Sequence, residues 1–316
     1  MLCVGENPHT AQQLIIFWKF KVMKHLKQVF IPLIFLLIPF FCTSANAQLG
    51  FVALPKSKNT QSAYVQCNSS GEFGLKAAET PTTDGHSTCA VITNELKKSP
   101  TSAPLEGFRL VGVLVSDVEM PKPDVGNIPA VAVLTDAIWR NKENTECILG
   151  THLQLKDAPL ANGQYWEVND IARGGFAGKE VSIAYFYKIP AAEIGGGAEV
   201  LFRAGRTFTS VKTSPDEKLL PVTQGTPAVN TPINKKNTAA YSDNWVDFTT
   251  DISFKDLDGV TRQNSSIYYI KYACDARDPV SKPNAIRFRT TGQSGQKTFE
   301  ITAPALVPVD SQVEKY

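Results

Sequence analysis

The sequence predicts an all-β protein, an antiparallel β-sandwich that is immunoglobulin-like or jelly-roll-like, with long loops rich in proline, threonine and asparagine. Two observations carry this prediction. No run of ten or more residues has helical periodicity, and roughly nine or ten short apolar or alternating runs are separated by turn signals. The single helical candidate is one turn at Asp170–Arg173, with Gly174 as its C-terminal cap.

The clearest pattern lies in Trp245–Cys274. Apolar and polar residues alternate in its first half, which predicts a strand with one buried and one solvent-facing side. The apolar side carries Val246, Phe248 and Ile252, and the polar side carries Asp247, Thr249 and Asp251. A second alternating run ends at Cys274, and Asp258-Gly259 lies between the two. Because this dipeptide suits a tight turn, the two strands are predicted to form a hairpin.

The other strands are predicted from shorter runs. Phe108–Val115 is apolar on both faces apart from Arg109, which is typical of a strand buried inside a protein. Further runs are Ala130–Trp139, Cys147–Leu155, Val181–Tyr187 and Val200–Thr209, and Ile286 and Phe288 are predicted to face Phe299 and Ile301 across a turn. An outer-membrane barrel is the alternative, which the short strands, proline-rich loops and polar C-terminus disfavour.

Residues 23–47 have the layout of a secretory signal peptide. Lys24, His25 and Lys27 form the short basic start, Val29–Phe41 is apolar, and Ala45-Asn46-Ala47 is a small-residue cleavage site. An uncleaved anchor is the alternative, but the 13 apolar residues are fewer than the ~20 that cross a bilayer. Residues 1–22 do not fit such a leader, so translation is expected to start at Met23. The sequence thus predicts a periplasmic or secreted protein, cleaved after Ala47.

Three segments are predicted after cleavage: a loosely packed, disulfide-held segment (48–105), the β-sandwich (106–304) and a polar tail (305–316). No transmembrane segment is expected in this mature chain. Residues 1–47 contain four of the 32 basic and one of the 30 acidic residues, so the mature chain has 28 basic and 29 acidic residues and a net charge of −1. Because no basic surplus remains, nucleic acid is not an expected partner.

Four cysteines remain in the mature chain, an even number typical of disulfides in exported proteins. Of the three possible pairings, Cys67–Cys89 with Cys147–Cys274 is the preferred one. The second bridge would join strands that are distant in sequence and could contribute about 4–5 kcal/mol on the chain-entropy model. A zinc site is the alternative, but the chain has no C-x-x-C pair.

The densest polar and aromatic cluster lies just before Gly174. Its residues are Trp166, Glu167, Asn169, Asp170 and Arg173. They could bind a sugar, with the indole stacking on the ring and the polar groups bonding to its hydroxyls. The preferred alternative is structural, in which Asp170 pairs with Arg173 and caps the one-turn helix.

A loose calcium site is the one cofactor that the sequence suggests. Asp251, Asp256 and Asp258 could supply its carboxylates. The segment does not fit an EF-hand, because Phe254 and Ser265 occupy two positions where that loop needs ligands. The alternative is that these aspartates are turn residues.

The sequence does not contain an evident catalytic motif. The mature chain has two histidines, His86 in a loop and His152 on a presumed outward strand face, and no G-x-S-x-G. The leading hypothesis is therefore a non-catalytic protein that acts in surface interaction or ligand binding, with a glycan or another surface protein as partner. The alternative is a glycan-acting hydrolase with a carboxylate pair, either Glu167 with Asp170 or Asp247 with Asp251.

Overall fold

The fold is a β-sandwich, as predicted. The computed structural model describes residues 50–54, 64–67, 100–120, 130–187, 198–208, 241–255, 262–289 and 300–315. These residues form strands and no helix, and two largely antiparallel sheets pack against each other. Within the same ranges, nothing resembles a helix that could span a membrane. The predicted leader, residues 23–47, and the extension before it lie outside the described residues.

The strands are β1 (Val52–Ala53), β2 (Tyr64–Gln66), β3 (Phe108–Glu119), β4 (Ala130–Asn141), β5 (Glu146–Leu155), β6 (Glu167–Arg173), β7 (Val181–Phe186), β8 (Ala198–Glu199), β9 (Arg203–Gly205), β10 (Val246–Ser253), β11 (Asn264–Ser265), β12 (Ile267–Ala273), β13 (Val280–Arg289) and β14 (Glu300–Val307). Sheet A runs β1-β7-β12-β5-β4-β3, and β11 and β8 extend it from β5. Sheet B runs β14-β13-β6-β10-β9-β2. β8 and β11 are parallel, whereas the other pairs are antiparallel.

The hairpin predicted in Trp245–Cys274 is wrong, although both of its strands exist. β10 pairs with β6 and β9 in sheet B, whereas β12 pairs with β5 and β7 in sheet A. The connection between them therefore crosses from one sheet to the other. An alternating pattern identifies a strand and its buried side, but it does not identify the neighbouring strand.

The prediction that Phe108–Val115 is a buried strand is also wrong. β3 pairs only with β4 among the described residues, so it is an edge strand of sheet A. Leu110, Val113 and Val115 are 45%, 44% and 61% exposed. The register aligns Leu110 with Trp139 and Val113 with Ala137, so the exposed side chains share the outward face of sheet A. Although this run is apolar on both faces, the rest of the protein covers only its inward face.

Two apolar clusters stabilise the sandwich. The larger lies between the sheets and includes Leu134, Leu149, Phe248, Ile270 and Phe288. A smaller cluster lies on the outward face of sheet A, around Trp139, Ile148 and Tyr269, with Phe51, Leu105 and Phe108 packed against it. Residues near position 100 thus cover part of that face.

The Cys147–Cys274 disulfide is confirmed; it joins β5 to the residue after β12 across a sequence separation of 127. Cys67 is also disulfide-bonded, and its partner lies outside the described residues, as Cys89 does. The Cys67–Cys89 pairing therefore stays a prediction.

The described parts of the N-terminal segment belong to both sheets, because β1 pairs with β7 in sheet A and β2 pairs with β9 in sheet B.

The C-terminal strand is longer than predicted. Phe288 pairs with Ile301 as expected, but β14 continues to Val307, so three residues assigned to the polar tail belong to sheet B. The residues after it are held in place. The side chain of Asn244 donates to the Gln312 carbonyl at 2.6 Å, and the Trp245 indole donates to the Glu314 carbonyl at 3.2 Å.

Candidate functional site

The predicted cluster between Trp166 and Arg173 forms a strand, not a helical turn. Residues 167–173 are β6, flanked by β10 and β13 in sheet B. Because β6 lies in the sheet, its side chains point alternately to the core and to the outward face, except at the register shift opposite Thr249–Ile252, where Asn169 and Asp170 share the outward face. The predicted one-turn helix at Asp170–Arg173 is therefore wrong, and so is the predicted pairing of Asp170 with Arg173 across it.

Arg173 points into the core and pairs with Asp136 instead. Its Nη1 lies 2.6 Å from Asp136 Oδ1, and both side chains are completely buried. The carboxylate also accepts hydrogen bonds from Thr151 Oγ1 at 3.1 Å and from the Leu306 amide at 3.0 Å. Nη2 of Arg173 donates to the Leu306 carbonyl at 2.6 Å. Since Asp136 lies in β4 and Arg173 in β6, this ion pair joins the two sheets.

The outward face of sheet B is the main candidate site. We call it the polar face; its residues are Glu167, Asn169, Asp170, Arg203, Asp247, Thr249, Asp251, Arg287, Arg289 and Glu300. The register places them on one side: Asp170 pairs with Thr249 and Arg289, and Thr249 pairs with Arg203. The polar side of β10 was predicted to face solvent, but Asp247 and Thr249 are fully buried.

One end of the polar face brings two carboxylates together. The side-chain nitrogen of Asn169 donates to Glu167 Oε1 at 2.6 Å and to Asp251 Oδ1 at 2.9 Å. Glu167 and Asp251 therefore share one amide donor. The sequence analysis instead paired Glu167 with Asp170 and Asp251 with Asp247, because spacing within a segment does not show that β6 and β10 are neighbouring strands.

The other end of the polar face is an arginine-carboxylate group. Glu300 accepts a hydrogen bond from Arg289 Nε at 2.5 Å and another from Arg287. The Arg287 guanidinium also lies over the Trp245 ring, 5.3 Å from its centroid. The carboxylates of the neighbouring strands β6 and β10 thus lie between the arginines of β13 on one side and of β9 on the other, so the buried charges of one sign are flanked by the other sign.

Trp166 does not present its ring to a sugar in this arrangement. The residue is 3% exposed, and its ring packs edge-on against Phe288 of the core at 5.9 Å between centroids. Glu167, Asn169, Asp170 and Arg173 are equally buried. These polar residues pair with other side chains instead, Arg173 in the core and Glu167 and Asn169 on the polar face.

Of the three aspartates predicted to bind calcium, the structure describes Asp251, which lies on the polar face. Asp256 and Asp258 lie outside the described residues. Among the residues that the structure describes, no group of three histidine, cysteine, aspartate or glutamate side chains is arranged to hold a metal ion. The calcium site thus stays a prediction that concerns residues 251–258.

Glu199 is a titratable residue that the sequence did not single out. It lies in β8, its side chain is 16% exposed, and burial, together with the nearby charge of Asp251, raises the pKa of its carboxyl to about 7. The Val200 amide donates to it at 3.0 Å, and Arg262 Nε lies 3.9 Å away, which partly offsets the shift. No local motif marks this glutamate, because its environment comes from strands that are distant in sequence.

His152 is buried, contrary to its predicted place on the surface. Its register partner is Thr135, so it lies on the outward face of sheet A, yet it is only 6% exposed. Burial lowers the pKa of its imidazole to about 4. This histidine is therefore neutral at physiological pH.

A small pocket of about 50 Å³ lies near the Cys147–Cys274 disulfide. Arg140, Lys179 and Arg277 are among its lining residues. Arg140 already donates to the carbonyls of Ala276 and Arg277, and Arg277 pairs with Asp275 at 2.5 Å. Arg140 and Arg277 thus hold the adjacent loop in place.

Comparison with known proteins does not identify a relative. No protein-family model matches the chain, and neither curated proteins nor solved structures show significant similarity to it.

Proposed function

We propose that this protein is an exported, non-catalytic interaction protein, periplasmic or secreted, and that its contact surface is the edge strand β3. One observation carries the proposal: Leu110, Val113 and Val115 are exposed in a row on an edge strand of 12 residues. An exposed apolar edge favours pairing with another strand. The added strand forms hydrogen bonds with the backbone groups of the edge, and its side chains bury the exposed apolar ones. The partner class is another protein that offers an extended strand.

The surroundings of β3 support this proposal. Large hydrophobic side chains are exposed at only four positions in the described ranges, and three of them are in β3. The fourth, Val280, follows Pro279, which packs so closely on Gly112 that an added Cβ would lie 2.6 Å from its ring. In the described ranges, exposure of large apolar side chains is thus concentrated on β3, as is typical of interaction surfaces.

Site-specific photocrosslinking in cells that export the protein tests the proposal. A photoreactive phenylalanine at position 115 is expected to give an adduct of discrete mass, whose partner is identified by mass spectrometry. The matched control carries the same group at Thr302, an exposed position in the edge strand β14 of sheet B. The proposal fails if position 115 gives no adduct, or if position 302 gives the same one.

A glycan-acting hydrolase is the second candidate, and one observation favours it. The Glu199 carboxyl has a pKa of about 7 beside Asp251, and a glycosidase needs a protonated acid near a second carboxylate. Glycan-array binding, followed by product analysis of every bound glycan, separates the two functions. Cleavage that is lost in Glu199→Gln would support the hydrolase and overturn the non-catalytic proposal.

A further inference from the structure

The partner strand at β3 can be specified further, on the basis of the proposed interaction surface. We propose that a second copy of this chain pairs antiparallel with β3, about a two-fold axis at Leu114, so that two sheets A join into one. Gly112 to Val118 pair with β4 without a break in register. The same seven residues therefore present a straight segment at their other edge, to which none of the strands that the structure describes is paired.

The sequence of β3 is self-complementary about Leu114. In an antiparallel pair centred there, Val113 of one copy faces Val115 of the other, and Gly112 faces Ser116. Val113 and Val115 lie on the same outward face, where both are exposed. Cross-strand pairs of β-branched side chains stabilise a sheet, and these would be formed twice. The exposed valines of each copy would thus be covered by those of the other.

Charge favours the antiparallel direction. Arg109 lies at the start of β3 and Glu119 at its end, and both are exposed. Arg109 donates to the Asn144 side chain at 3.1 Å, whereas Lys156 pairs with Asp117 at 2.6 Å. An antiparallel copy brings Arg109 of each chain towards Glu119 of the other. A parallel copy would instead align arginine with arginine and glutamate with glutamate, which is unfavourable.

The irregularities of β3 limit this pairing to two copies. Register shifts lie between Leu110 and Gly112 and between Val118 and Glu119, on either side of the straight segment. Bulges bend a strand, so the backbone pairing is confined to this segment, and Arg109 and Glu119 beyond its ends approach each other only through their side chains. Because a two-fold contact uses the same edge from both chains, the interface closes on itself and leaves no further β3 edge to extend.

Sedimentation velocity of the purified mature protein, residues 48–316, tests whether two copies form a dimer. The wild type is expected to dimerise in the micromolar range, and Val115→Lys is expected to weaken the dimer by about tenfold or more, because it places two charges in the contact. The control Thr302→Lys adds the same charge to the other sheet's edge and is expected to remain dimeric. Position 115 is exposed, so the folded state should tolerate lysine, and circular dichroism checks this. A monomeric wild type, or an unchanged Val115→Lys dimer, would overturn the proposal.

Engineered cysteines test the register. Val113→Cys mixed with Val115→Cys is expected to form an intermolecular disulfide more readily than either variant alone, because these two positions face each other only in the proposed pairing. Equal crosslinking in all three samples would contradict it. If the purified protein is monomeric but position 115 crosslinks to a different protein in cells, the second copy is excluded and the interaction surface stands. If neither occurs, both proposals fall.

Discussion

The outward faces of the two sheets are both buried over much of their area, but by different physical means. On sheet A, Trp139, Ile148 and Tyr269 form an apolar cluster that the segment near residue 100 covers. On sheet B, the polar face pairs carboxylates with arginines and an amide. The first depends on apolar area and close packing, and the second on the geometry of hydrogen bonds between charged groups.

This difference indicates where an interaction surface can remain. Apolar burial is not directional, so a partly covered apolar face can accept further chain, as β3 would. A buried charge network does not have this tolerance, since a group that loses its partner is left desolvated and unpaired. The exposed apolar face of β3, which lies beside the cluster around Trp139, is therefore the better candidate for contact with another protein.

Trp139→Ala should have the largest effect on the sheet A face. Trp139 is fully buried, and its removal should lower the free energy of unfolding by about 3–5 kcal/mol through lost burial and a cavity. Gly150→Ala tests the same contact from the other side. An added Cβ would lie 2.6 Å from the Trp139 ring and 3.2 Å from Tyr269, so a loss of about 1–3 kcal/mol is expected. Urea denaturation measures both, and a loss below 1 kcal/mol for Trp139→Ala would refute the closely packed cluster.

Two buried titratable groups should give opposite pH effects of intermediate size. Glu199 has a folded pKa of about 7 against an ordinary 4.5, so its stabilisation is present at low pH and is lost as pH rises through 7. His152 has a folded pKa of about 4 against 6.5, so its stabilisation is present above pH 6.5 and is lost as pH falls through 4. Each effect amounts to about 3 kcal/mol at most.

Because the two windows overlap, the wild type should show little net slope between about pH 4.5 and 6.5 from these groups. In Glu199→Gln the free energy of unfolding should rise with pH across that range, and in His152→Gln it should fall. Denaturation at a series of pH values measures the slopes, which do not depend on the cost of the substitution itself. Slopes of the same sign in both variants would contradict the assignment.

The sequence predicted the strands better than their partners. Alternation located β5, β10 and β12, and Cys147 and Cys274 were paired correctly because few partners were available. The hairpin was wrong because a turn signal at 258–259 is equally consistent with a crossing between sheets. β3 was taken for a buried strand because exposure of its apolar face depends on neighbours that its own residues do not specify.

The candidate site was less predictable than the fold. The cluster at β6 was recognised as chemically dense, but Asp136 and Glu300, which pair with Arg173 and Arg289, lie far away in sequence. Glu199 lacks a local signal, since its raised pKa arises from burial and from Asp251. Local patterns thus identified one residue of each ion pair, whereas its partner depended on how distant strands are arranged in the sandwich.

Glu300→Gln should have the smallest of the three effects, on the polar face. It preserves the side-chain shape but removes the charge shared by Arg287 and Arg289, which are mostly buried. Since hydrogen bonds to charged groups are worth about 1.5–3 kcal/mol and Glu300 is 21% exposed, a loss of about 1–2 kcal/mol is expected. Glu146→Gln is the matched control. It weakens an ion pair with Lys271, outside β3, whose side chains are 47% and 28% exposed, so it should cost less than about 1 kcal/mol. Equal losses in the two variants would show that the polar face is no more sensitive to unpairing than an exposed surface, and would remove the distinction between the two faces.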